Sequence, residues 1–116
     1  MKLKFELTPK AYETYKTEVK GNANIPWDQA EKKLNRNILL VQEADPKYTK
    51  KKWLTTTYSY GNLKVKVRFN KIIDIENHKG EPTDWHTKPR RYEELSRQLG
   101  ILDYKKRRNK IKRKSS

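Results

Sequence analysis

Three cations recur at every second residue, at Lys64, Lys66 and Arg68. In a strand such residues share one face, about 6.6 Å apart. That repeat is close to the spacing of phosphates along a nucleic-acid strand. Three like charges in line repel one another unless an anion lies near, so the pattern points to phosphate binding. The plainer alternative is a solvated outer face balanced by Asp74 and Glu76 on the next strand. His78 follows that strand and could supply a proton near the row. Tyr58 and Tyr60 on the preceding strand could stack bases beside it. Their alternative role is in the core or at a sheet edge. Lys50, Lys51, Lys52 and Lys79 extend the same charge.

Other chemistries lack their residues. The chain has no cysteine, which removes disulfides, thiolate zinc and a Cys nucleophile. His78 and His86 are the only histidines and stand outside any HExxH arrangement, so no metal or cofactor is expected. Asp74 and Glu76 could share a strand face, but a third carboxylate ligand is not evident. Glu93-Glu94 reads as a solvated helix surface. No Walker loop, dinucleotide loop or Gly-x-Ser-x-Gly elbow is present.

The bulk composition agrees with a polyanion partner. Among 116 residues, 29 are Lys or Arg and 14 are Asp or Glu, a net charge of +15. Nucleic acid is the first candidate and an anionic surface the second. The last 16 residues hold eight of the basic side chains and one of the acids. There, Lys105, Lys106, Arg107, Arg108, Lys110, Lys112 and Arg113 form a tail expected to be flexible when free and to bind phosphate without reading sequence. YEELSRQLGI followed by LDYKKRRNKI is a weak helix-turn-helix signal, because the second helix would lack an apolar stripe. No secretory signal or apolar run long enough to span a bilayer is visible. A cytoplasmic protein with no membrane association is therefore expected.

The elements that would position the basic row follow from periodicity. KLKFEL at 2–7 alternates as a half-buried strand. Thr8-Pro9 reads as a cap and first helical position, with Tyr12, Tyr15 and Val19 on one helical face. Asn24 is placed as the cap of a second helix whose stripe is Trp27, Ala30, Leu34, Ile38 and Val41, closed at Asp45-Pro46. Lys47–Lys52 reads as a basic loop. Three strands follow: Trp53–Tyr60, then Leu63, Val65, Val67 and Phe69 alternating with the cations, then Ile72–Glu76 with Ile73 and Ile75 inward. Gly61-Asn62 and Asn70-Lys71 are the turns. Arg90–Leu99 is a third helix stopped by Gly100. The expected fold is α+β: a small antiparallel sheet, made of an N-terminal strand plus a three-stranded meander, packed against two helices, with a C-terminal helix and basic tail. A single domain is expected over 1–100, with 101–116 as the tail. Trp27, Leu34, Ile38, Val65, Val67 and Ile75 are expected to share its core.

MKLKFELTPKAYETYK, the long second helix, YGNLKVKVRF and IIDIENHKG together resemble the RelE/ParE toxin superfamily over residues 1–80. Gly61 matches the hairpin glycine, Lys64 to Arg68 the basic strand, and His78-Lys79 the terminal His-Arg pair. The departures are Lys79 in place of Arg and the added helix and tail. The resemblance implies metal-independent messenger RNA cleavage in which Lys64, Lys66 and Arg68 stabilise the phosphorane charge and His78 or Tyr60 moves protons. It also implies a cognate antitoxin and contact with the ribosome or, in ParE-like members, gyrase. The competing functions are a non-catalytic DNA- or RNA-binding accessory protein of a phage or mobile element, and a regulator binding an acidic protein surface.

Overall fold

The computed structural model describes residues 3–19 and 21–101. In chain order these form β1 (Glu6–Leu7), α1 (Pro9–Glu18), α2 (Trp27–Gln42), a 3-10 turn (Pro46–Tyr48), β2 (Thr49–Lys52), β3 (Thr55–Tyr60), β4 (Leu63–Arg68), β5 (Lys71–Asn77) and α3 (Pro89–Leu99). The strands make one mixed sheet in the order β1-β5-β4-β3-β2. β2 to β5 run as an antiparallel meander, but β1 adds to β5 in parallel, so the sheet is mixed and not antiparallel throughout as expected. The fold is α+β.

Side-chain alternation divides this sheet into two faces. On β4, Val65 and Val67 are buried, while Lys64, Lys66 and Arg68 point the other way. Across the ladder, Tyr58 stands opposite Val65, and Val65 opposite Ile75; all three join Leu34, Ile38 and Val41 of α2 in the core. Helix α1 runs alongside β5. The Thr8 hydroxyl donates to the Ile72 carbonyl at one end, and the Asn77 side chain donates to the Glu18 carbonyl at 2.8 Å at the other. It thereby shields the stretch of β5 that the two-residue β1 leaves unpaired. Thr8 sits at the N-cap, but its hydroxyl is spent on β5 rather than on the helix.

Helix α2 lies between the sheet and α3, so its second face is buried as well. Asn35, Arg36 and Asn37 are all nearly inaccessible. Arg36 stacks 4.2 Å over the Tyr92 ring and donates to Ser96 Oγ of α3 at 3.3 Å. Gly100 ends α3 at φ 76°, and the Ile101 amide bonds back to the Ser96 carbonyl at 2.9 Å. That left-handed residue turns Ile101 into the core, a closure glycine makes without steric cost.

Several expectations are corrected. The lysines of Lys47–Lys52 do not form a loop: after the 3-10 turn they build β2, an edge strand whose exposed charges discourage further pairing. The meander therefore has four strands. Pro26, not Asn24, occupies the α2 N-cap. Trp27, expected in the core, is 38% exposed and packs against the Tyr12 ring at 4.9 Å. On β5 the inward residues are Ile72 and Ile75, not Ile73 and Ile75. The register slips between Lys66 and Val67, which pair with Asp74 and Ile72, so Ile73 is the extra residue of a β-bulge. The final turn is Phe69-Asn70, both at positive φ, rather than Asn70-Lys71.

A candidate nucleic-acid interface

The face opposite the helices carries the basic row. Its members come from alternate positions of four strands: Lys50 and Lys52 of β2, Thr55, Thr57 and Ser59 of β3, Lys64, Lys66 and Arg68 of β4, and Lys71, Asp74 and Glu76 of β5. Glu6 of β1, level with Lys71, completes the face, so six cations meet three acids. Among the described residues no helix packs on this side: α1 and α2 contact the inner face and α3 packs on α2.

The three cations of β4 differ in their surroundings. Lys66 donates to Glu76 Oε1 at 2.8 Å. Glu76 Oε2 lies 3.2 Å from His78 Nε2, and His78 Nδ1 lies 3.4 Å from Glu81 Oε1. The hydrogen bond from Lys66, and then that from His78, holds the Glu76 carboxyl below its ordinary range. The same bond to Glu76 pushes Lys66 up. Among the described residues, Arg68 makes only a neutral contact, to Thr55 Oγ1 at 3.2 Å. No ion pair engages Lys64 among the described residues. Of the other two acids, Asp74 pairs with Lys10 at 3.8 Å and accepts the Ile75 amide, and Glu6 stands level with Lys71. The row therefore has two unpaired ends and a neutralised middle.

Of the expected site residues, Lys64, Lys66, Arg68, Lys50, Lys52 and His78 share this face or its rim. Lys79 follows His78 and is exposed. Lys51 points to the opposite side, level with Thr56. Tyr58 and Tyr60 do not stand beside the row. Tyr58 is buried, edge-on to Phe5 at 6.1 Å, and its hydroxyl accepts from Gln42 at 3.3 Å. Tyr60 packs against Trp85 at 5.4 Å and receives a hydrogen bond from the Thr87 hydroxyl at 3.3 Å. Both belong to the helix-facing side because they pair with Val65 and Leu63. The tail residues Lys105, Lys106, Arg107, Arg108, Lys110, Lys112 and Arg113 lie outside the described residues.

Trp53 and Phe69 are missed by the sequence pattern. The alternation places both in strands, with Phe69 facing inward. They occupy turns instead and are 92% and 75% exposed. Lys52 pairs with Thr55 and Arg68 with Lys71, leaving Trp53-Leu54 and Phe69-Asn70 as two-residue loops, and neither carries the glycine that would have marked it in the sequence.

No group of three or more His, Asp or Glu side chains able to hold a metal occurs among the described residues. No described helix is long and apolar enough to cross a membrane.

A family model described as YorE matches residues 5–98. The chain is 44% identical over 103 residues to a protein of Bacillus subtilis (strain 168), the "SPbeta prophage-derived uncharacterized protein YorE", covering 85% of this chain and 84% of that relative. No solved structure matches.

Proposed function

The chain belongs to the YorE family, and we propose that it is a nucleic-acid-binding accessory protein of phage type that lays a phosphate backbone along the outer sheet face. The observation that carries this reading is the unlayered face itself, where Lys64 and Arg68 stand at the two ends of β4 with no acid in an ion pair with either among the described residues. A sheet holds such charges rigidly, so a bound strand gains their attraction with little ordering cost. The prophage origin of the relative accords with this role. The test is fluorescence anisotropy on labelled single-stranded DNA, RNA and duplex across a salt series. Binding should weaken steeply with salt. The double substitution Lys64→Ala and Arg68→Ala should flatten the log-log slope by roughly 0.7–0.9 per lost contact. No binding at low salt, or binding indifferent to the double substitution, overturns the reading and turns attention to an acidic protein partner.

A second reading adds RNA cleavage, on the strength of the Lys66–Glu76–His78 chain. The imidazole lies between two carboxylates at the rim of the basic face, a position suited to moving a proton. This is also the activity implied by the RelE/ParE resemblance. The test is incubation with labelled RNA in chelator, with and without ribosomes. Cleavage abolished by His78→Ala supports it; intact RNA under both conditions removes it and leaves binding standing.

A further inference from the structure

The meander places its turns unevenly. Gly61-Asn62, joining β3 to β4, closes one end with residues that favour tight turns. The other end carries two turns side by side, Trp53-Leu54 between β2 and β3, and Phe69-Asn70 between β4 and β5. Trp53 has φ 55° and Phe69 φ 51°, the left-handed region where bulky side chains are strained. Gly or Asn would sit there more cheaply. Neither ring recovers that cost in the core, since both are mostly exposed, and Leu54 beside Trp53 is 49% exposed. Two large rings held outward at strained positions, on one end of one sheet, suit contact with something outside the chain.

The neighbouring charges say what that is. Each aromatic turn ends a basic strand: Lys50, Lys51 and Lys52 lead into Trp53, and Lys64, Lys66 and Arg68 lead into Phe69, with Lys71 just beyond. The midpoints of the two hairpins are two strand spacings apart, roughly 10 Å. That span accommodates bases one or two nucleotides apart on an extended strand. A flat anionic membrane meeting the tips would leave Lys64, five residues or about 16 Å back from Phe69, without a partner. A flexible single strand reaches both the row and the tips.

Resting on the nucleic-acid reading above, we infer that Trp53 and Phe69 are base-stacking side chains that make the protein prefer single-stranded nucleic acid, with phosphates on the Lys64, Lys66 and Arg68 row and unstacked bases on the two rings. Stacking is tolerant of sequence, because every base has a π-face. The site should therefore read single-strandedness rather than a motif.

The test uses the full chain, a labelled oligothymidylate and an abasic deoxyribose-phosphate chain of equal length. Trp53→Asn and Phe69→Asn remove each ring while keeping a residue that tolerates the left-handed backbone, and thermal melting checks that both remain folded. Each should weaken oligothymidylate binding about tenfold, leave the salt slope unchanged, and leave binding to the abasic chain unchanged. Phe69→Trp should retain affinity. If the parent binds oligothymidylate and both Asn variants bind it equally well, the stacking inference falls while the basic-face reading stands. An equal loss on the abasic chain also overturns it. If the parent binds neither chain but sediments with phosphatidylserine vesicles in a Trp53-dependent way, both readings fail and the tips are membrane anchors.

Discussion

Glu76 clamps Lys66 at 2.8 Å in the middle of the outer-face row, so the cation best placed by the sheet is also the one already neutralised. The clamp is shared: the same carboxylate meets His78 at 3.2 Å through its other oxygen. An incoming phosphate must compete with Glu76 for Lys66 or bind around it. Glu76→Gln should therefore raise nucleic-acid affinity several-fold at low salt and steepen the log-log salt slope by roughly 0.7–0.9, one additional phosphate contact. Titration of the variant and the parent over a salt series measures both. Unchanged affinity would show that Lys66 does not meet phosphate.

Acid should destabilise the fold through three carboxylates. Glu76 is held down by Lys66 and His78, Glu43 by the two-pronged Arg91 contact at 2.8 and 2.7 Å, and Asp84 by Lys47 and then Tyr48. Each has a native pKa below its ordinary value of 4.5, 4.5 or 3.8. Their stabilisation is fully present above those ordinary values and is lost as pH falls through the lowered native ones. Urea midpoints should thus hold between pH 5 and 7 as far as these groups are concerned, and decline progressively below about 4.5. The double substitution Glu43→Gln and Glu76→Gln should make that decline shallower; a parallel curve would refute the assignment.

Asn35 extends the sheet edge with a side chain. Its Oδ1 accepts the Phe5 amide at 3.0 Å, and its Nδ2 donates to the Phe5 carbonyl at 2.9 Å. It is 2% exposed. Asn35→Ala strands two backbone groups away from water, each costing about 1–3 kcal/mol. The loss in unfolding free energy should be about 2–4 kcal/mol by denaturant titration, and early amide exchange should concentrate at residues 5–7. Asn35→Asp should be no milder, because the amide donor is lost and a charge is buried.

The β4 alternation is legible because every second residue carries charge and the rest are aliphatic, a pattern with one sensible burial. Helix α2 is legible in its extent but not in its surroundings. Asn35, Arg36 and Asn37 look like a solvent face until the Phe5 backbone is set against Asn35 and α3 against Arg36. On β5 the inward pair Ile72 and Ile75 is set by a bulge, which Ile72-Ile73-Asp74-Ile75 does not announce because three of the four positions are isoleucine. The three lysines of β2 read as loop because edge strands are charged for the same reason loops are. The side of the sheet that Tyr58 and Tyr60 take is hidden because aromatic, threonine and serine residues alternate there without contrasting polarity.

Thr57 offers a way to separate binding from folding. It lies on the outer face, directly opposite Lys50 on one side and Lys66 on the other. Thr57→Glu places a carboxylate between two cross-strand cations, an arrangement that contributes roughly 0.2–1 kcal/mol to a sheet. The variant should therefore melt at or above the parent temperature. It should nonetheless bind nucleic acid at least tenfold more weakly at low salt, since it neutralises Lys50, adds a second acid beside Lys66 and repels the backbone. A loss of binding in a protein of undiminished stability cannot be ascribed to unfolding. If binding persists, phosphate does not cross the centre of this face, and the track must run along its ends at Lys64 and Arg68.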